Sequence, residues 1–241
     1  MDAGSKWWVI PLVLALGGCQ SKEDVRIDDH AYFSSLRLTH HLSASSSTEG
    51  SEHTSRAAVE LDLHRASGTA SQSLEASRLI DFGGVQFTGP AQVEADYDLL
   101  AASLAIRAGL NAPTDRSRIA LLLGLSVQDF DLHLDAGTVS AEDDRRSIGP
   151  LFGAEGFLEL YSWLDLYGRV TQAIGFSDAT TTLGLVELGL SVEPFSHVTL
   201  AGGYRWERYT QPRLASQIIG FDETRIDLKL RGPVIGLHID F

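Results

Sequence analysis

The stretch Ile226-Asp227-Leu228-Lys229-Leu230-Arg231-Gly232-Pro233-Val234-Ile235-Gly236-Leu237-His238-Ile239-Asp240-Phe241 decides the fold. Apolar residues take every second position at Ile226, Leu228 and Leu230, and again at Ile235, Leu237, Ile239 and Phe241. Successive side chains of a strand point to opposite faces, so this period of two predicts a strand with one apolar face. The parity slips at Gly232-Pro233. A slip of one residue predicts a β-bulge, and Pro233, with no N–H to give a ladder, suits a bulge or an edge.

The same period recurs upstream. Val59, Leu61 and Leu63 alternate with Glu60, Asp62 and His64, and Ile119 to Val127 carry apolar residues at each odd position. Leu164–Val170, Val186–Val192 and Val198–Trp206 behave alike. Parity also switches near Leu99-Leu100 and Gln128-Asp129, which predicts two more bulges. From residue 56 onward no stretch shows a helical period. The strands predicted are 56–66, 92–110, 117–135, 148–160, 164–176, 180–193, 197–210 and 223–241. The fold class is therefore all-β, an antiparallel up-and-down transmembrane β-barrel of about eight strands. It has ten if Tyr32–Leu38 and a segment near Arg78–Phe87 each add one. Short turns at 111–114, 161–163 and 193–196 alternate with longer polar ones near 66–91, 136–147, 176–181 and 210–222. Such alternation is how a transmembrane barrel is organised.

The chain has 241 residues, with 19 Lys and Arg against 32 Asp and Glu, a formal net charge of −13. The length suggests one domain with a tail. The charge argues against nucleic acid as a partner, which needs a basic patch. A single cysteine excludes an internal disulfide framework and any paired-cysteine metal site. The neutral mean hydropathy looks like that of a soluble protein, but it averages the two faces of every strand.

The N-terminus reads MDAGSKWWVIPLVLALGGC. The apolar run Trp7 to Leu16 is too short to span a bilayer core and has the length of a signal-peptide core. Its end, Leu16-Gly17-Gly18-Cys19, resembles a bacterial lipobox, with Gly17 where Ala or Ser is commoner and Pro11 inside the apolar run. The resemblance implies diacylglycerol on Cys19, cleavage after Gly18 and acylation (palmitate among the chains) of the new N-terminus. A plain signal peptide with a chance cysteine is the alternative. Gln20 implies export to the outer membrane. The domains predicted are 1–18 lipoprotein signal peptide, 19–55 polar and largely flexible periplasmic tether, and 56–241 barrel. His30, His40 and His41 with Asp28 and Asp29 read as tether, not as a metal site, because a metal needs ligands on a rigid frame.

Aromatics near strand ends (Tyr97, Tyr161, Trp163, Tyr167, Phe195, Tyr204, Trp206 and Tyr209) fit interfacial girdles. The alternating last strand closing on Phe241 resembles the signal read by the barrel-assembly machinery of Gram-negative bacteria. Residues 56–241 thus resemble the small outer-membrane β-barrel proteins, the type that includes the OmpA barrel and opacity-type surface proteins. The resemblance implies a location in the cell outer membrane, lipid-anchored with a periplasmic N-terminus. It implies outer-membrane lipids and the lipoprotein-processing and barrel-assembly machineries as partners. Glu187, Arg205, Glu207, Lys229 and Arg231 are expected to pair in a narrow lumen, since buried charges need partners.

Neither a catalytic set, a cofactor nor a metal site is evident. His133 between Asp131 and Asp135, His238 with Asp240, and Ser196-His197 are more simply solvated rims and turns than an acid–base or nucleophilic site. Gly83-Gly84 and Gly202-Gly203 lack the setting of a phosphate loop. The expected role is structural or surface-interacting. The alternatives are a barrel enzyme on lipid or peptide substrates, or a soluble periplasmic barrel carrying an apolar ligand.

Overall fold

The computed structural model describes residues 21–22, 24–42, 57–110, 117–176, 180–211 and 225–241. The strands are β1 (Ser21–Lys22), β2 (Val25–His30), β3 (Tyr32–Leu42), β4 (Ala57–Leu74), β5 (Arg78–Phe82), β6 (Val85–Thr88) and β7 (Ala91–Leu110). They continue with β8 (Ser117–Asp135), β9 (Ser140–Tyr161), β10 (Leu164–Phe176), β11 (Thr180–Phe195), β12 (Val198–Gln211) and β13 (Ile226–Asp240). The eight strands read from the alternation are all present, two of them much longer than expected. β4 runs on to Leu74, β9 begins at Ser140, and so 136–147 is no long loop.

The barrel closes with nine strands, not eight or ten. Its wall follows the order β3, β4, β7, β8, β9, β10, β11, β12, β13, and β13 returns to β3. The ninth strand, β3, comes from the segment read as tether. It pairs from Tyr32↔Ser67 to Leu42↔Ala57 on one side and from Val234↔Phe33 to Asp240↔Thr39 on the other. Its outward Leu36 and Leu38 and inward Arg37 and Thr39 give a short alternation whose pattern alone is faint. In an up-and-down barrel with an odd number of strands, the first and last must run the same way. The β3–β13 pair is parallel, while all other pairs in the wall are antiparallel. Over the length of β3 closure leaves no free edge to recruit another chain. β2 is a further strand on β13, in the same offset as β3 (Arg231↔His30, Val234↔Phe33), so it carries the chain in line with β3.

The parallel closure sends the two ends of the described chain to opposite ends of the barrel. Asp240 lies at the end with the two-residue turns 162–163 and 196–197, here called the turn end. Val25 lies at the other, the loop end, with the connections 75–90 and 212–225. A count of eight or ten strands, which would put both ends on one side, does not hold. At the loop end the β5–β6 hairpin covers the barrel and buries Ile80, Phe82 and Phe87 in its core. Gly83 and Gly84 have φ of 57° and 75°. Two successive positive φ values are what a two-residue hairpin turn needs, so this glycine pair is a turn.

The parity switches are not bulges. The ladders run without a register shift through Leu99-Leu100, Gln128-Asp129 and Gly232-Pro233. The side chains keep alternating; what changes is which face is apolar. On β8 the outward residues are Ile119, Leu121, Leu123, Leu125 and Val127, then Asp129, Asp131, His133 and Asp135. The inward ones run from Ser126 and Gln128 to Phe130, Leu132 and Leu134. β4 switches between Leu63 and Arg65, β7 between Leu100 and Asp98, β9 between Ile148 and Arg146, and β12 between Trp206 and Arg208. In the loop-end half the barrel has an apolar core and a polar exterior. In the turn-end half it is inside out. Leu121 and Leu188 are therefore 49% and 52% exposed, whereas Leu228, in the loop-end half, is fully buried at 0%.

Candidate functional site: a charge cluster inside an apolar belt

The inward positions of the turn-end half bring six charged side chains together. Arg37 comes from β3, Glu60 and Asp62 from β4, Arg107 from β7, Glu155 from β9 and Arg169 from β10. Arg169 donates to Glu60 at 2.6 Å and lies 3.1 Å from Asp62 and 3.4 Å from Glu155. Arg37 sits 3.6 Å from both Glu60 and Glu155 and 3.9 Å from Asp62. Arg107 pairs with the other oxygen of Glu155. Three guanidiniums thus face three carboxylates, and the cluster is neutral as a whole. β10 and β4 are not neighbours in the wall, so the Arg169–Glu60 bond crosses the lumen and fills it at that level.

A second group lies alongside. Arg205 grips Glu187 through Nε at 2.7 Å and Nη2 at 2.5 Å. Tyr167 donates its hydroxyl to the other Glu187 oxygen at 2.7 Å. Glu207 lies 3.9 Å from Arg205 and 3.5 Å from His64. The Arg205 guanidinium also lies 5.4 Å from the centre of the Phe33 ring. The room for Tyr167 comes from Gly189 and Gly203, opposite each other on β11 and β12. A Cβ on Gly189 would stand 2.8 Å from the Tyr167 ring.

Of the five residues expected in the lumen, Glu187, Arg205 and Glu207 are there and paired. Lys229 and Arg231 are not: they point outward, Arg231 lying 3.6 Å from Asp28. They occupy the loop-end half, where polar residues belong on the outside. The members that sequence reading missed (Arg37, Glu60, Asp62, Arg107, Glu155 and Arg169) share one signal: a charge at an inward position among outward aliphatics. Phe241 stands at the turn end, 65% exposed. Its carbonyl accepts from His40 Nδ1 at 2.9 Å and its N–H donates to Thr39 at 2.9 Å, so the last residue continues the β3 pairing. Cys19 and the whole signal-peptide reading lie outside the described residues.

The other side chains singled out in the sequence are scattered. His133, Asp131 and Asp135 line the outer face of β8, with no partner set for acid–base work in the described residues. Asp129, Asp131 and Asp144 bring carboxylate oxygens within 4.8 Å of one another on that wall. Desolvation, then the Asp144 charge across the ladder, raises the Asp131 carboxyl above its ordinary value. His238 is buried inside the barrel, while Asp240 is at the mouth, 3.8 Å from His41. Ser35 Oγ and His238 Nε2 both lie beside Gly236, yet neither finds a hydrogen-bond partner among the described residues. A hydroxyl not bonded to its base is not an activated nucleophile. Of the expected girdle, Tyr161, Trp163, Phe195 and Trp206 are exposed, whereas Tyr97, Tyr167 and Tyr209 point inward. Compared with known proteins, the chain matches no family model, no curated sequence and no solved structure.

Two predictions follow from the charges. Removing one member of a buried pair strands the other, at a cost of about 3–5 kcal/mol, whereas replacing both with apolar groups is far less harmful. Arg205→Ala is expected to lower the denaturant midpoint of purified protein strongly, and Arg205→Met with Glu187→Leu to recover much of the loss. A double variant as unstable as the single one would contradict the pairing. For Asp131, a raised pKa in the fold means that the protonated form is favoured there, so its repulsion with Asp144 is absent at low pH and grows as pH rises through its titration. Asp144→Asn is therefore expected to stabilise slightly at neutral pH, with the gain vanishing as the pH drops below the carboxylate range. The pair is exposed, so the effect is small. Thermal melts across pH check it; a gain that persists in acid would refute the assignment.

Proposed function

We propose that this protein is an outer-membrane lipoprotein β-barrel with a plugged lumen and a structural or surface-interacting role. The observation that carries the reading is the inversion of the turn-end half, with aliphatics outside and a neutral charge cluster inside. In water that half would expose Leu104, Ile106, Leu121, Leu123, Leu125, Phe152, Val186, Leu188 and Leu190 together. A contiguous apolar surface of that size marks a membrane or partner interface. Its height fits a bilayer. From Leu100 to Leu110 on β7, at about 3.4 Å per residue and a tilt of about 40°, the belt rises about 26 Å, against the ~25 Å band of such barrels. A soluble carrier of apolar ligands would need an apolar interior at this level, where Arg37, Arg169, Glu60 and Glu155 stand instead. The small-barrel resemblance, the lipobox at Cys19 and the terminal Phe241 agree with this reading.

The nine-strand closure changes the topology proposed. Short turns belong in the periplasm, which puts Asp240 there and the loop end outside. Cys19 is six residues before Val25, a reach of at most about 20 Å, whereas the run of β2 and β3 along the barrel is about twice that. An acylated Cys19 then inserts in the outer leaflet, on the same side as the loops. The cross-lumen plug and the apolar core above it leave the barrel unsuited to conduct solutes.

The belt is tested directly by a charge within it. An arginine at the midplane of a barrel's lipid face costs about 2–4 kcal/mol. Leu123→Arg is expected to reduce folding into lipid vesicles and to weaken the slower or faster migration of unboiled protein on a denaturing gel, while Asp131→Arg leaves both intact. Absence of any heat-dependent migration in the parent protein would sink the membrane reading. The topology is tested by an epitope inserted after Lys22. Antibody added to intact cells should reach it, and should reach a tag in the 162–163 turn only after permeabilisation; the reverse pattern would overturn the orientation.

A further inference from the structure

A groove of about 720 Å³ runs across the outer face of β10 to β13. It lies where the apolar belt gives way to the polar exterior. Below are Val170, Val186 and Trp206; above are Arg208, Arg225, Lys229 and Arg231. The recess has a simple cause. The outward residues of β11 between Val186 and the loop end are the small Thr182 and Gly184, which leave the space open.

The cations are concentrated by register. Arg208 lies directly opposite Lys229, and Trp206 opposite Arg231. Residues opposite each other on one face have Cβ atoms about 5 Å apart, and residues two apart on a strand about 7 Å. Arg208 is held by Asp227 through two bonds of 2.9 Å, and Arg231 lies near Asp28 at 3.6 Å. Arg225 Nε has no hydrogen-bond partner among the described residues. The wall across the barrel is the opposite: the outer faces of β7 to β9 carry Glu94, Asp96, Asp98, Asp129, Asp131, Glu142 and Asp144. Asp28 and Asp227 offset two of the four cations, so the groove remains net positive in a chain of net charge −13.

We propose that the groove is a docking site for a lipid with a phosphorylated headgroup, and that its occupant is the bis-phosphorylated lipid A of the outer leaflet. The inference rests on the membrane reading above. Guanidinium groups bind phosphate through charge-assisted, often bidentate hydrogen bonds. Four cations spread over two strands suit two phosphates better than one. The indole of Trp206, with Val170 and Val186 beneath, receives the start of the acyl chains. The height matches as well, since the cations sit at the edge of the belt, where the phosphates of a leaflet lie.

The experiment is native mass spectrometry of the full-length protein, released from neutral detergent after titration with lipid A, its monophosphoryl form or phosphatidylglycerol, with inorganic phosphate as competitor. The expected result is one lipid A per barrel, held more tightly than the monophosphoryl form or phosphatidylglycerol and not displaced by millimolar phosphate. Lys229→Gln with Arg231→Gln should weaken it about tenfold or more, as should Arg225→Gln if the double variant fails to fold. Arg65→Gln with Arg146→Gln, two outward cations away from the groove that pair with Asp98 and Asp129, should not. Equal retention of phosphatidylglycerol, displacement by free phosphate, or equal loss in the control variant would each overturn the proposal. A parent protein that shows no heat-dependent migration and does not enter vesicles would overturn the membrane reading with it. One that enters vesicles without lipid A selectivity overturns only the site.

Discussion

The hydrogen-bonded closure of β3 against β13 sets the architecture. A sheet of this length left open would present unpaired edges that could recruit another chain. The chain removes them with a strand from its own N-terminal region, running parallel to the last. From this pairing follow the odd strand count, the position of Val25 at the loop end, and the separation of the two ends of the described chain. It also places Arg37 in the lumen, where it lies between Glu60, Asp62 and Glu155. Without β3 the three carboxylates would face only Arg107 and Arg169.

An inverted half-barrel and a conventional one are stacked along the same nine strands. The switch needs no bulge, because the pleat is indifferent to what its two faces meet. It needs only that the apolar set move from one parity to the other, as it does at Leu63/Arg65, Leu100/Asp98 and Val127/Asp129. The interior changes in step: Gln128, Ser147 and Thr181 lie between the charge cluster and the aromatic contact of Phe130 with Tyr209 at 4.6 Å. Uncharged polar residues thus separate salt bridges from an apolar core. In the inverted half buried charge is offset by charge of opposite sign, three guanidiniums facing three carboxylates in the larger cluster.

Legibility of the site was uneven for physical reasons. Glu187, Arg205 and Glu207 stood out because they interrupt long runs of alternating aliphatics. Lys229 and Arg231 stood out in the same way but belong to the half where charges face outward, so one rule of inversion applied to the whole strand misplaced them. Arg37 was missed because the alternation of β3 is confined to Leu36-Arg37-Leu38-Thr39, within a segment otherwise rich in Ser, Thr and His. The loop-end parts of β4 and β9, with Ser67, Ser71, Asp144 and Arg146, resembled loops because an exterior in contact with water carries the same residues as a turn.

The all-β class, eight of the nine wall strands and the short turns at 161–163 and 193–196 were determined by the sequence alone, since period two and turn residues are local properties. The apolar terminal run ending at Cys19 is local too. What only the tertiary structure decided is non-local: that β3 joins the wall, that the closing pair is parallel, and that a change of parity means a change of environment and not a bulge. The reason is common to all three. Alternation says that a strand has two faces, but which face looks inward, and which strand lies beside it, depends on partners up to two hundred residues away, as Val234 and Phe33 are.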